Sequence, residues 1–148
     1  MSRVVLGIVI CFFAFVSCQD EADCLRITTD FANLRFYKIE DNEPDTVDLS
    51  MLKPLGSDSV LLADTTVSSS IRLPINPNAE STGFAFETEF GIDTLMLSYG
   101  TSTRLIAEDC GIEVIIFELE AVRNDFDSIR IVNDILIEDI NEDIRIYN

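Results

Sequence analysis

Apolar and polar residues alternate in short runs along most of the chain, and clusters of turn-forming residues separate the runs. Alternation with period two is typical of half-buried β-strands, because successive side chains of a strand point to opposite faces of the sheet. The pattern therefore predicts a protein built mainly from strands. The clearest runs are Leu34–Ile39, Ile71–Leu73, Phe84–Phe86, Leu95–Leu97, Ile129–Ile131 and Ile144–Ile146.

One long segment, Gly111–Val122, is apolar without regular alternation and contains Val114-Ile115-Ile116-Phe117 in succession. Continuous apolar runs of this kind are typical of strands that are covered on both faces. We therefore predict a central strand here.

Helical periodicity is weak after residue 23. The nearest helical candidate is Asn133–Ile140, whose β-branched residues and acids fit a loop or a short strand as well. The spacing of the runs predicts one antiparallel β-sandwich of about seven to nine short strands over residues 24–148, with immunoglobulin-like or transthyretin-like character. A partly closed β-barrel is the alternative.

The first seventeen residues differ from the rest of the chain. Val4–Val16 is almost wholly apolar and uncharged, and it follows Arg3. A helix of this length spans only about 20 Å, which is too short to cross a hydrocarbon core about 30 Å thick. We therefore predict that residues 1–17 are a signal peptide that is removed on export.

The end of this segment, Phe15-Val16-Ser17-Cys18, resembles the lipobox of bacterial lipoproteins. The resemblance implies that Cys18 becomes the N-terminus and carries lipid, with the acidic residues 18–23 as a tether. Phe15 stands where the lipobox usually has leucine, whereas Ser17 meets the demand for a small residue at the cleaved bond. Ordinary signal peptidase cleavage is the alternative.

The number of cysteines limits which disulfides and metal sites the chain can form. Of the four cysteines, Cys11 leaves with the signal peptide and Cys18 takes lipid, so that Cys24 and Cys110 remain to form a disulfide. Export to an oxidising compartment favours this pairing. A metal site is the weaker interpretation, since two thiolates without any histidine are a poor ligand set.

The chain is strongly acidic, with 27 Asp and Glu against 10 Lys and Arg. Removal of Arg3 with the signal peptide leaves nine basic residues and a net charge of −18. Such a charge repels phosphate backbones and anionic head groups, so we expect no nucleic-acid partner and no second, electrostatic membrane contact.

Few residue types that carry catalysis are present. The chain has no histidine, its six glycines form no phosphate-binding loop, and we expect neither a cofactor nor a catalytic residue. Paired carboxylates such as Glu87 and Glu89 could serve glycoside hydrolysis, but a solvated strand face is the simpler interpretation.

Two other features leave alternatives open. Asp41–Asp45 and Asn124–Asp127 could present oxygen ligands to calcium, although neither matches a known calcium-loop spacing, and we predict solvated turns rather than a metal site. Tyr37, Tyr99 and Tyr147 could lie at the rim of the core or form a platform for carbohydrate or peptide.

Six segments after residue 17 carry a resemblance to a known family. They are Cys18–Cys24, Leu34–Tyr37, Ser70–Pro77, Asp93–Tyr99, Asp109–Gly111 and Glu142–Tyr147. Together they resemble a family of small lipoproteins of unknown function from Bacteroidetes-type bacteria, over nearly all of the chain after Cys18. The resemblance implies an envelope location and a β-fold, but no activity. In such bacteria an acidic run after the lipidated cysteine resembles a surface-export tag, and here Gln19-Asp20-Glu21 is short and broken by Ala22.

From these observations we expect a non-enzymatic lipoprotein that binds an envelope protein or glycan, or assists envelope assembly. Its lipid would hold it to the outer membrane, on the cell surface or on the periplasmic face. An envelope polysaccharide hydrolase and a purely structural envelope component are the alternatives.

Overall fold

A computed structural model describes residues 24, 27–138 and 140–148 of the chain. The predicted signal peptide, Cys18 and the tether 18–23 lie outside the described residues. Within them the chain forms nine strands and no helix, so none of this part has a helix that could cross a membrane. The strands are β1 Phe31–Tyr37, β2 Val47–Pro54, β3 Thr66–Ser68, β4 Ser70–Pro74, β5 Ser81–Thr88, β6 Gly91–Ala107, β7 Gly111–Asn124, β8 Ser128–Ile131 and β9 Ile144–Tyr147.

The nine strands form two sheets, with the order β4-β1-β9-β8 in one and β3-β2-β5-β6-β7 in the other. Neighbouring strands run antiparallel except β1 and β9, which pair in parallel because the last strand inserts between β1 and β8. The all-β sandwich that the alternation predicts is therefore confirmed, with one parallel pair added.

The core lies between the two sheets and consists of the apolar residues from the alternating runs. Leu34 and Phe36 of β1 are fully buried, as are Phe84 and Phe86 of β5. Burying a side chain of this size contributes about 1.5 to 3 kcal/mol to folding. In β1 these residues alternate with Asn33 and Arg35, which therefore point to the outer face of the sheet, whereas the residue between the two phenylalanines of β5 is the buried Ala85.

The prediction of a central strand at Gly111–Val122 is wrong, because β7 is an edge strand of the five-stranded sheet. Gly111 and Ile112 at its start are exposed. The middle of β7 is covered by the segment 134–136 instead: the Leu119 N–H donates to the Asp134 carbonyl at 3.0 Å, and the Leu136 N–H donates to the Ile116 carbonyl at 3.1 Å. An irregular segment thus covers apolar residues that a neighbouring strand would otherwise cover.

Strands β6 and β7 form the longest hairpin. All residues from Thr101 to Leu105 on β6 are exposed. Just before them Gly100 lies opposite Phe117, and a Cβ atom at Gly100 would come within 2.7 Å of the Phe117 ring. A larger residue at this position would force the ring to shift, so glycine allows the ring to lie close to the backbone.

The disulfide predicted between Cys24 and Cys110 is present. It joins the start of the described chain to the turn between β6 and β7. The N-terminal segment is therefore fixed to the tip of the hairpin.

Candidate functional site

Each strand of the four-stranded sheet contains one arginine between two apolar residues. Since the apolar neighbours point into the core, the arginine must point to the outer face of the sheet. We call this surface the arginine face. Its four arginines, in strand order, are Arg72 on β4, Arg35 on β1, Arg145 on β9 and Arg130 on β8.

The strand register aligns three of these arginines in one row. Arg35 lies opposite Arg145, and Arg145 lies opposite Arg130. Residues directly opposite in neighbouring strands are about 5 Å apart and share a face, so the row spans roughly 10 Å. Like charges in this arrangement repel one another and destabilise the sheet.

A second row of polar and aromatic side chains lies beside the arginines. Tyr37 is opposite Tyr147, and Tyr147 is opposite Ser128. The two ring centroids are 5.8 Å apart, so that each ring restrains the other. The arginine row is therefore bordered by two aromatic rings and a hydroxyl group.

Glu142 holds the centre of the arginine face in place. Its carboxylate accepts hydrogen bonds from the Tyr37 hydroxyl and from Nε of Arg145, and the Arg145 guanidinium lies 4.9 Å from the Tyr37 ring centroid. The bond to Glu142 raises the pKa of Tyr37, and Glu142 likewise raises the pKa of Arg145. The charge of Arg145 is thus compensated within the protein.

Arg35 and Arg130 have no carboxylate partner among the described residues. Nε of Arg35 is buried and has no hydrogen-bond acceptor there. By contrast, Arg72 pairs with Glu138 at 3.7 Å. Two of the four arginines of this face therefore have no charge partner in the described part of the chain.

A buried carboxylate lies in the other sheet, near the disulfide. Glu113 of β7 is 1% exposed and accepts hydrogen bonds of 2.8 Å from the backbone N–H groups of Ile27 and Thr28. Arg104 on β6 donates to its second oxygen at 2.5 Å. These donors, with the Thr28 N–H first among them, lower the pKa of Glu113 to about 2. Glu113 therefore fixes the N-terminal segment to the hairpin.

The second buried carboxylate, Asp143, joins the chain before β9 to β1. Its Oδ2 accepts from the Asn33 N–H at 2.7 Å, and the Asp143 N–H donates to the Asn33 carbonyl at 2.7 Å. Its Oδ1 is buried without a partner among the described residues. Burial raises the pKa of this carboxyl group.

The two carboxylates considered for catalysis, Glu87 and Glu89, lie in different elements. Glu89 accepts a hydrogen bond of 2.6 Å from the Asp48 N–H in an exposed turn, while Glu87 lies in β5. The two buried acids, Glu113 and Asp143, have separate partners. Both are engaged by backbone groups, as expected for structural carboxylates.

The two acidic loops considered for calcium bond to their own backbone or to the next strand. Asp41 accepts from the Glu43 N–H at 3.1 Å, and Asp125 accepts from the Thr94 N–H at 3.2 Å. In the described part of the chain, no group of three or more candidate ligands lies close enough together to hold a metal ion.

The three tyrosines divide between two environments. Tyr99 is 5% exposed and belongs to the core, where its hydroxyl donates to the Asn76 carbonyl at 2.9 Å. Tyr37 and Tyr147 lie on the arginine face, where Tyr147 is partly exposed. Sequence reasoning overlooked the arginines beside them, although each lies at the centre of an apolar–Arg–apolar triplet. That repeated triplet was the available signal.

Comparison with known proteins gives one match. No curated protein and no solved structure matches the chain. A family model described as a family of unknown function, DUF6452, matches residues 45–148, which include all strands except β1. The match covers more than half of the chain, and the chain therefore belongs to this family of unknown function.

Proposed function

We propose that the protein is a lipid-anchored envelope lipoprotein of Bacteroidetes-type bacteria and acts as a non-enzymatic binding module through its arginine face. The observation that carries this proposal is the unpaired state of Arg35 and Arg130 among the described residues.

The arginine row does not serve the fold. Three cations side by side on adjacent strands lower the stability of the sheet, and only Arg145 regains stability through Glu142. A feature that costs stability and leaves hydrogen-bond donors unused is typical of a functional surface. Binding of an external anion would compensate the charge that the protein leaves uncompensated.

The disulfide supports the proposed compartment. Disulfides persist in exported proteins and are rare in the reducing cytosol. The pair Cys24–Cys110 therefore agrees with a removed signal peptide and with lipid on Cys18, six residues ahead of Cys24. The outer membrane is the proposed location, and proteinase treatment of intact cells would distinguish the cell surface from the periplasmic face.

The arrangement of acids favours binding over hydrolysis. A glycosidase needs two carboxyl groups that face each other across a substrate. Glu113 and Asp143, the two buried acids of the described residues, each hold a peripheral segment by backbone hydrogen bonds. These partners are typical of structural carboxylates rather than of a reaction centre.

The test uses Cys18→Ser in the full chain, produced in a bacterium with a lipoprotein pathway. We expect the unsubstituted chain to incorporate labelled palmitate and to sediment with membranes, and the variant to be unlabelled, soluble and still folded with its disulfide. The soluble variant is then mixed with washed envelopes of the source organism. Co-sedimentation should be lost on Arg130→Glu and retained on Arg123→Glu, an exposed arginine of the other sheet.

Two outcomes would contradict the proposal. Palmitate labelling that survives Cys18→Ser would show that Cys18 is not the anchor. Equal sedimentation of the Arg130→Glu and Arg123→Glu proteins would show that the arginine face is not the binding surface.

A further inference from the structure

The geometry of the arginine face points to its ligand: we propose that it binds an anionic sugar residue of a glycan. The carboxylate of the sugar would lie between Arg35 and Arg130, and the sugar ring would pack on Tyr147. This inference rests on the proposed function and specifies the ligand class of the same face.

The charge of the face fits a single compact anion. Arg35 and Arg130 flank Arg145, whose charge Glu142 already compensates. They are two strand spacings apart, roughly 10 Å, and arginine side chains are long enough to approach one group from both sides. Guanidinium groups recognise carboxylates through two parallel hydrogen bonds, which a lysine ammonium group cannot provide.

The neighbouring row supplies groups that suit a sugar ring. Tyr147 is partly exposed, and its ring is restrained by Tyr37 at 5.8 Å. An aromatic ring provides an apolar surface with a polar hydroxyl at one end, which matches the apolar face and hydroxyl rim of a sugar. Ser128, opposite Tyr147, adds a hydroxyl group that can donate or accept.

The border of the face argues against a long polyanion. Asp127 immediately precedes β8, the acidic turn Glu40–Asp45 follows β1, and Glu138 lies beside Arg72. These acids repel an extended chain of closely spaced phosphates, as in nucleic acid. A glycan that presents one carboxylate on a mostly uncharged sugar ring avoids this repulsion.

The probe is a short oligomer of neutral galactose residues that ends in one galacturonic acid, titrated by calorimetry into the soluble full chain that carries Cys18→Ser. The control ligand is the same oligomer with that one carboxylate methyl-esterified, which keeps the ring size and removes the charge. We expect binding to the acid only, with an affinity that falls as salt rises.

Four variants assign the contacts. Arg130→Ala and Arg35→Ala should each weaken binding about tenfold, because each removes a charge-assisted hydrogen bond to the carboxylate. Tyr147→Leu should weaken it by a smaller factor, and Arg123→Ala on β7 should leave it unchanged. Arg130 is exposed on an edge strand, so its variant tests the inference even if substitution of the half-buried Arg35 disturbs folding.

Each alternative result has a definite meaning. Equal binding of the methyl ester would overturn the role of the carboxylate. Acetate that binds as tightly as the oligomer would overturn the role of the sugar ring. Absence of binding to the oligomer, while Arg130-dependent envelope binding persists, would overturn the inference and leave the proposed function standing.

Discussion

Glu113 and Asp143 are both buried acids, and each fixes a peripheral segment to a sheet. Glu113 receives three donors on its two oxygens and has a pKa lowered to about 2. Asp143 accepts a backbone hydrogen bond from Asn33 on Oδ2, has an unpartnered Oδ1 among the described residues, and has a raised pKa. The difference shows that burial alone does not set the direction of the pKa shift: the backbone donors of Thr28 and Ile27 and the Arg104 guanidinium outweigh desolvation at Glu113, whereas desolvation outweighs the hydrogen bonds at Asp143.

The largest expected effect comes from the disulfide, which reinforces the Glu113 region and has no counterpart near Asp143. Replacing both Cys24 and Cys110 by serine releases a loop with a sequence separation of 86 residues. In the chain-entropy model this lowers the free energy of unfolding by about 4 to 5 kcal/mol. Urea denaturation of the variant and the oxidised parent measures the difference, and equal midpoints would show that hydrogen bonds alone hold the N-terminal segment.

Glu113→Gln should have the next largest effect, a fall in Tm of several degrees at pH 7. The glutamine amide would place an N–H donor against the guanidinium donors of Arg104. Because the folded-state pKa of Glu113 is lowered from 4.5 to about 2, its stabilising contribution is present above pH 4.5 and is lost as the pH falls towards 2. Thermal melts across this range should show the gap between variant and parent narrowing in acid.

The control for Glu113 is Glu120→Gln, an exposed acid on the same strand. It should leave Tm nearly unchanged. A similar loss in the control would mean that the net charge of β7, rather than the donors around Glu113, sets the stability.

Asp143→Asn should change Tm by the smallest amount, and it should raise Tm where Glu113→Gln lowers it. The folded-state pKa of Asp143 is raised from 3.8, so ionisation of the buried group costs stability increasingly as the pH rises above 3.8 and through the folded-state value. An amide has the same shape without the charge, and it should raise Tm at neutral pH. The gain should disappear towards pH 4.

Melts of Asp143→Asn and of the exposed control Asp58→Asn, recorded side by side, would measure this gain. Destabilisation by Asp143→Asn at neutral pH would place Asp143 in the same class as Glu113 and remove the contrast between the two acids.

The fold was largely predictable because strand periodicity is a local property. The runs around Phe84–Phe86 and Leu95–Leu97 lie in β5 and β6, and Ile144–Ile146 lies in β9. Sheet order depends on pairing between distant segments, which periodicity does not encode. For this reason the alternation could not show that β9 pairs in parallel with β1, or that β7 lies at an edge.

The site was less predictable than the fold. The apolar–Arg–apolar triplets place each arginine on an outer face, but only the register of β1, β9 and β8 brings Arg35, Arg145 and Arg130 into one row. The net charge of the chain also gave no indication of this surface. With 27 acids it is strongly negative, and it does not show where the basic residues lie. The disulfide, by contrast, followed from assigning Cys11 to the predicted signal peptide and Cys18 to the predicted lipid site, which leaves Cys24 and Cys110.

The bond between Cys24 and Cys110 also determines how a mechanical load enters the domain. A pull on the chain ahead of Cys24 passes through covalent bonds into the start of β7 as well as into the segment that leads to β1. The long antiparallel ladder between β6 and β7 then shares the tension among many hydrogen bonds.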